Sequence, residues 1–371
     1  MNILWLTWKD DKHPTAGGAE VVLRELSHRL VKEGHKVTWL TCGYGTATQL
    51  EHTDGLTIIR VGASRGMHPV LALLYYVRQL RGKFDAVVEV VNTAPYFSTF
   101  FDKKTRHFLF YHQLAREVWF YEVGMPFSQV GYYVLEPLAT RVLSHSHAPV
   151  ITVSESTRQD LVRYGFKAEH VHIITQGIQL QPVAQLDTIK KFAKPTVLSL
   201  GAFRAMKRTR DQIVAFELAK QHMPDLQLKI AGDAQSAYGE ATLAYIHQSR
   251  FASDIEYMGR ITDEEKRRLM QRAHLITVTS IKEGWGLIVT EAASQGTPAV
   301  GYDVDGLRDS IRHRETGMLT APNPEALSKG MLAILNDTKA YSRLREAAWQ
   351  WSKEMTFDAA YRDLKIVMEF A

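Results

Sequence analysis

A single cysteine, Cys42, stands in a chain of 371 residues, which excludes an internal disulfide and fits a reducing compartment. Long apolar runs are missing too. The longest, VLALLYYV at 70–77, falls far short of the ~20 residues that span a bilayer. The opening MNILWLTWKDD has neither a basic n-region nor a long apolar h-region, so no secretory leader is expected. Neither sign of charge is in large excess. A formal balance of +5 suits an anionic ligand or an acidic membrane surface, and by itself is no nucleic-acid footprint, so no nucleic-acid partner is expected. The expectation from these features is a cytoplasmic chain, soluble or held peripherally on the inner face of a membrane.

What is present is ordinary globular material, with 45% hydrophobic and 23% charged residues. The length exceeds one ordinary core and predicts two domains. The first opens with the strand NILWLTW, the glycine loop HPTAGGAE and an amphipathic helix from about Ala19 to Lys32. Further β-rich runs, KVTWLTC, TIIRV, AVVEVV, HFLFYH and PVITVS, follow with helical patterns between them. Strand–helix alternation predicts a parallel, doubly wound α/β sheet. From 177 to 195 the pattern dissolves into GIQLQPVAQLDTIKKFAKP, which reads as a linker. It then restarts with TVLSLGAF, LQLKIAGD, IEYMG and HLITVTS. The expected domains are 1–178 and 190–356, each a Rossmann-like sheet, with a last helix over about 357–371 returning to the first. Ligands of such sheets bind beyond the carboxyl ends of the strands, here in a cleft between the two domains.

The stretch IKEGWGLIVTEAASQGTP at 281–298 carries the most chemistry. A helix beginning near Gly286 or Leu287 offers free backbone N–H groups at its positive dipole end, an arrangement suited to phosphate. Glycine lets a ligand approach the backbone. Glu283 stands on the loop before that helix and Glu291 further along it. Two carboxylates flanking a phosphate site suit hydroxyl-bearing rings on both sides of a diphosphate, as in a nucleotide sugar. The plainer reading makes Glu283 a solvated loop acid and Glu291 an acid favoured by the dipole.

This segment resembles the E-x7-E element of the retaining GT-B glycosyltransferases of family 4, and EAASQGTPAVGYDVDGLRDSIRHRETGMLT is similar to the same family's signature region. The resemblance extends, more weakly, over most of the chain. It implies a two-domain GT-B fold and transfer of a sugar from a nucleoside diphosphate sugar to a sugar or lipid-linked acceptor hydroxyl, with retention and without metal or other cofactor. It also implies that Glu283 contacts the donor sugar and Glu291 the ribose, and that the amides around Gly286, Leu287 and Ile288 hold sugar and phosphate.

LGAFRAMKRTRD supplies a second phosphate element. Arg204, Lys207, Arg208 and Arg210 crowd the start of a helix, where cations are unfavourable unless an anion sits there. The alternative is a solvated basic turn. Lys207 matches the family's lysine. Ala202 replaces its usual arginine, and Arg204 is the nearest residue able to take that role. Gly17 and Gly18 are similar to the family's glycine pair, whose amides face the distal phosphate or the acceptor; a plain tight turn is the alternative. His112, in YHQLAREVW after an apolar strand, is similar to the family's active-site histidine, expected to hydrogen-bond the transferred sugar; a satisfied core histidine is the alternative.

Ser154 is expected to cap a helix. Asp303 and Asp305 have a D-x-D spacing, but they match a family loop that binds no metal. Arg65, Arg78, Arg81 and Lys83 surround an apolar core over 65–83, which reads either as a peripheral membrane contact or as a solvated helix face. Two rival functions fit the same residues: a non-catalytic nucleotide-sugar-binding subunit, and a sugar-nucleotide epimerase on the same fold.

Overall fold

Ile3, Leu4, Trp5 and Leu6 are completely buried, as required of a parallel strand covered on both faces. They form β1 (Asn2–Leu6) at the middle of the first sheet. The computed structural model describes residues 1–62 and 66–370. The chain divides into two units: unit 1 holds Met1–Trp119, Met125–Gly177 and the chain from Thr356 onward, and unit 2 holds Phe120–Gly124 and Ile178–Met355.

In chain order after β1 come α1 (Gly18–Lys32), β2 (Lys36–Thr41), β3 (Leu50–Thr53), β4 (Leu56–Arg60), α2 (His68–Tyr75), β5 (Ala86–Val91) and β6 (Arg106–Tyr111). They are followed by α3 (Trp119–Glu122), α4 (Phe127–Val130), α5 (Glu136–Ser144), β7 (Val150–Thr152), α6 (Glu155–Arg163) and β8 (Val171–Ile173). The unit 1 sheet has the order β3-β4-β2-β1-β5-β6-β7-β8. Its neighbours are parallel except the edge hairpin β3–β4, so it is a mixed sheet. The two hairpin strands meet across Asp54 and Gly55, both at positive φ, the turn conformation that the twist of a two-residue hairpin favours. Ser154 caps α6, its oxygen accepting the Thr157 N–H.

Unit 2 runs β9 (Thr196–Leu200), α7 (Thr209–Lys220), β10 (Gln227–Ala231), α8 (Ala237–Gln248), β11 (Ile255–Tyr257), α9 (Asp263–Arg272) and β12 (Leu275–Val278). Then follow α10 (Leu287–Ser294), β13 (Ala299–Tyr302), α11 (Leu307–Ser310), β14 (Gly317–Thr320), α12 (Pro324–Leu335) and α13 (Thr338–Ser352). Its six strands are all parallel, in the order β11-β10-β9-β12-β13-β14. Ile213, Phe216, Leu327 and Met331 pack with Leu228 and Ile230 in one core cluster. Ile276, Met270, Val289 and Ala292 belong to another. Both sheets are the doubly wound α/β kind that the alternation predicts.

The stretch read as a linker is not free chain. The Lys191 ammonium donates to the carbonyls of Ala273 and Gly296 (2.7 Å each) and to Thr297 Oγ1 (2.8 Å). Arg345 donates to the Leu186 carbonyl and the Trp349 indole N–H to that of Val183. Its polar, aperiodic composition reflects anchoring by side chains of unit 2 rather than solvation. The last helix, α14 (Phe357–Phe370), belongs to unit 1, where Asp358 accepts from Arg29 (2.8 Å) and Lys365 reaches Glu33 (3.0 Å). In the basic segment, Arg65 lies outside the described residues; α2 buries His68 and Ala72 and leaves Val70 and Leu74 exposed.

Candidate active site

Parallel strands deliver their carboxyl ends to one edge, and in unit 2 the loops after β9, β12 and β13 meet there. The loop after β9 is shaped by a close approach. At Gly232 (φ +156°) a Cβ would stand 1.9 Å from the Gly201 carbonyl oxygen, so no other residue fits. Lys207 ends a single 3-10 turn, Ala205–Lys207. The Ile281 N–H donates to the Met206 carbonyl (2.8 Å), and Thr279 Oγ1 donates to that of Lys207 (2.8 Å). Gln212 holds Thr279 in turn. The lysine backbone is thereby bound to the end of β12, the segment that leads to Glu283.

The Lys207 ammonium pairs with Glu283 Oε1, which also accepts from the Ser280 hydroxyl (2.5 Å). Both side chains remain reachable, 33% and 15% exposed. Glu283 is fixed from behind, because its N–H donates to the Asp305 carbonyl (3.0 Å). Gly306, at φ +80°, lies so close that a Cβ there would stand 2.1 Å from the Glu283 carbonyl oxygen. Three residues on, Gly286 caps α10 in the left-handed region (φ +88°). The N–H groups of Leu287 and Ile288 open that helix and have no acceptor within it. Trp285, between the two glycines, turns toward Trp351 (6.0 Å) and packs with Ile178 and Met355.

The structure thus brings together Lys207, Glu283, Gly286, Leu287 and Ile288. Glu291, on the second turn of α10, pairs with Lys266 of α9 (2.6 Å). Arg204 pairs with Glu122 (2.8 Å), on the short segment that belongs with unit 2. Arg208 donates to the Tyr121 hydroxyl (3.2 Å), and the Arg210 guanidinium lies 4.5 Å from the centre of the Tyr245 ring. The cation-rich turn therefore has protein partners of its own, which sequence spacing does not show. Asp303 and Asp305 close a network with Arg308 (2.7 and 3.0 Å) and Lys282. Ser280 and Gly306 escaped the sequence reading; the one signal for Gly306 is its place directly after the D-x-D loop.

In unit 1, Gly17 caps α1 and Gly18 is its first residue. The Gly17 amide already donates to Glu20 Oε2 (2.6 Å), and burial pushes the Glu20 carboxyl up. His112 follows β6. Its ring stacks on Phe110 (4.5 Å) and its buried Nε2 has no partner among the described residues. Desolvation lowers its pKa from 6.5 to about 4, so the imidazole is neutral at physiological pH. Burial does the same, to about 4, for His274.

The folded values lie below the unfolded one, so on acidification the unfolded chain takes up these protons first. The stabilisation is complete above about pH 6.5 and is lost as pH falls toward 4. For His112 alone the loss expected between pH 7 and pH 5 is ~2 kcal/mol. Urea midpoints should fall over that range and fall less in His112→Gln; parallel curves for the two proteins would contradict it.

The family model for Glycosyltransferase Family 4 matches residues 16–181, and that for Glycosyl transferases group 1 matches 187–351. An uncharacterized glycosyltransferase of Methanocaldococcus jannaschii is 22% identical over 359 residues, covering 91% of this chain and 90% of the relative. Other curated relatives align over 42–62% of this chain, which spans 40–58% of their length. Sucrose-phosphate synthase from Thermosynechococcus elongatus superposes with a TM-score of 0.77 at 20% identity, covering 100% of this chain and 98% of that one. Anabaena HepE in complex with UDP and glucose superposes at 0.75 and 16% identity, over the whole of both chains. With one glycosyltransferase model on each half and the same fold end to end, this chain belongs to the family-4-like GT-B glycosyltransferases.

Proposed function

We propose that this enzyme transfers a hexose from a nucleoside diphosphate sugar to an acceptor hydroxyl, with retention at the anomeric carbon and without a metal ion. The observation that carries the reading is the joined pair Lys207–Glu283 beside the glycine-led start of α10. The structures of HepE with UDP and with UDP-glucose support the same donor class.

In the proposed step the bond from the anomeric carbon to the diphosphate breaks and a bond to the acceptor oxygen forms on the same face. The acceptor proton passes to the departing diphosphate oxygen. Charge develops on that diphosphate, and a fixed ammonium with oriented amides stabilises it at no reorganisation cost. Lys207 has three N–H donors, so it can keep Glu283 while meeting phosphate. Glu283 would accept from the sugar hydroxyls, and Glu291 from the ribose once Lys266 yields. Arg204, the nearest substitute for the family's arginine, would meet phosphate by exchanging Glu122 for it. His112, neutral, is assigned a hydrogen bond to the transferred sugar, and Gly17 and Gly18 the donor's distal phosphate or the acceptor.

The test is a screen of nucleotide sugars for thermal stabilisation, followed by transfer to sugar and lipid-linked acceptors in EDTA, with the product anomer read by NMR. Retention in EDTA is expected. Inversion, or activity abolished by EDTA and restored by a divalent ion, would refute the corresponding clause. Donor binding without turnover would mark a binding subunit, and donor isomerised without acceptor an epimerase.

A further inference from the structure

Residues 127–144 of unit 1 form one helical run: α4, a π-turn over Gly131–Leu135, and α5. Phe127 (71%), Tyr133 (68%), Leu135 and Leu138 (59%) are largely exposed along it, with Val134 and Val142 beside them. Positions 127, 130, 134, 138 and 142 recur at helical spacing and so share a stripe. A scattered exposed leucine needs no explanation, but a row of large apolar groups on one face does. The stripe also carries no accessible acid. The only carboxylate between 125 and 144 is Glu136, which is buried and accepts the N–H groups of Ala115 (2.5 Å) and Arg116 (2.8 Å).

The carboxyl end of α5 opens on a crevice of about 390 Å³. It lies among the loops that enter β7 and β8, the edge of the sheet opposite the one His112 follows. Arg141, His145, His147, Arg163, Lys167 and His170 line it, and no carboxylate does. Arg163 lies 3.4 Å from Asp160, outside the lining.

An acid-free apolar stripe that ends in a cationic crevice matches one surface chemistry: acyl chains bordered by phosphate headgroups. We propose that this face of unit 1 docks on an anionic phospholipid bilayer, with the stripe at the headgroup–acyl boundary and a lipid phosphate in the crevice. A second copy of the chain fits less well, because two cationic crevices would be brought together. The inference does not depend on the transfer reaction. This face is distinct from residues 65–83, which the sequence leaves open between a membrane contact and a solvated helix face.

The test is flotation of the full chain with phosphatidylcholine vesicles, with and without one quarter phosphatidylglycerol. Binding to the anionic vesicles at least tenfold tighter than to neutral ones, and weakened by 0.5 M salt, is expected. Val134→Glu with Leu138→Glu, and separately Arg141→Glu with Lys167→Glu, should each lower it at least tenfold. Both variants should keep the parent Tm and the parent stabilisation by the best nucleotide sugar. Several results would overturn the proposal. One is no flotation, or equal flotation with both vesicles. Another is a dimer, seen by light scattering, that the Leu138 variant dissociates. A third is stabilisation by inorganic phosphate through Arg141 and Lys167 with no vesicle binding.

Discussion

Lys207→Ala is expected to lower kcat/KM for transfer by about a hundred- to a thousand-fold, the usual effect of removing one fixed donor from a developing oxyanion. The Tm should change little, since the pair it leaves is partly exposed and such pairs contribute about 1 kcal/mol or less. Glu283→Ala is expected to act on the same scale. The two residues share one contact, so the double variant should lose far less than the product of the single losses. Multiplicative losses would show two independent roles, and parent-like turnover in either single variant would remove that residue from the mechanism.

Gly306→Ala is the second large effect, on a residue given no part in donor binding. The added methyl would lie 2.1 Å from the Glu283 carbonyl oxygen at a backbone φ of +80°. Strain in the left-handed region and overpacking together should cost about 2–4 kcal/mol. The shift has nowhere to go but the loop that presents Glu283 to Lys207, so affinity for the nucleotide sugar should drop along with Tm. Asp305→Asn, which weakens the neighbouring ion pairs without displacing the Glu283 backbone, serves as control. A Gly306→Ala protein with lowered Tm but unchanged donor affinity would show that the loop absorbs the methyl without moving Glu283.

Much of the fold is readable in the chain because its central strands are buried on both faces. NILWL, AVVEVV and HFLFY carry apolar runs that turn chemistry and helical spacing delimit. Edge elements lack that signal. LEHT, which forms β3, has one apolar residue, and its only mark is the Asp54–Gly55 pair that turns the hairpin. The run from 127 to 144 is harder still, because its apolar residues point outward and obey no inside-outside rule.

At the site, glycine turns and the two glutamates stand out in sequence, and resemblance gives Lys207 its place. What sequence spacing does not show is pairing. Nothing in LGAFRAMKRTRD announces that Arg204 meets Glu122, or that Lys207 reaches Glu283 across 76 residues. Such contacts depend on which strands end side by side, and β9 and β12 become neighbours only in the folded sheet.

Apart from the short excursion Phe120–Gly124, the chain leaves unit 1 after Gly177 and returns to it at Thr356, and each unit ties its own two ends together. The Ile178 N–H donates to the Met355 carbonyl (3.1 Å), while Gly177 sits against Phe357 so closely that a Cβ there would touch its ring at 2.3 Å. In topological terms, the second sheet is therefore a guest inserted into a host whose own last helix is made after it. A ribosome emits the host's final piece last, so unit 1 cannot complete α1's packing against α14 until the guest has already emerged. Excising 178–355 and splicing 177 to 356 would rejoin neighbouring ends, whereas a cut at 190 would strip the guest of the segment that Arg345 and Trp349 hold in place.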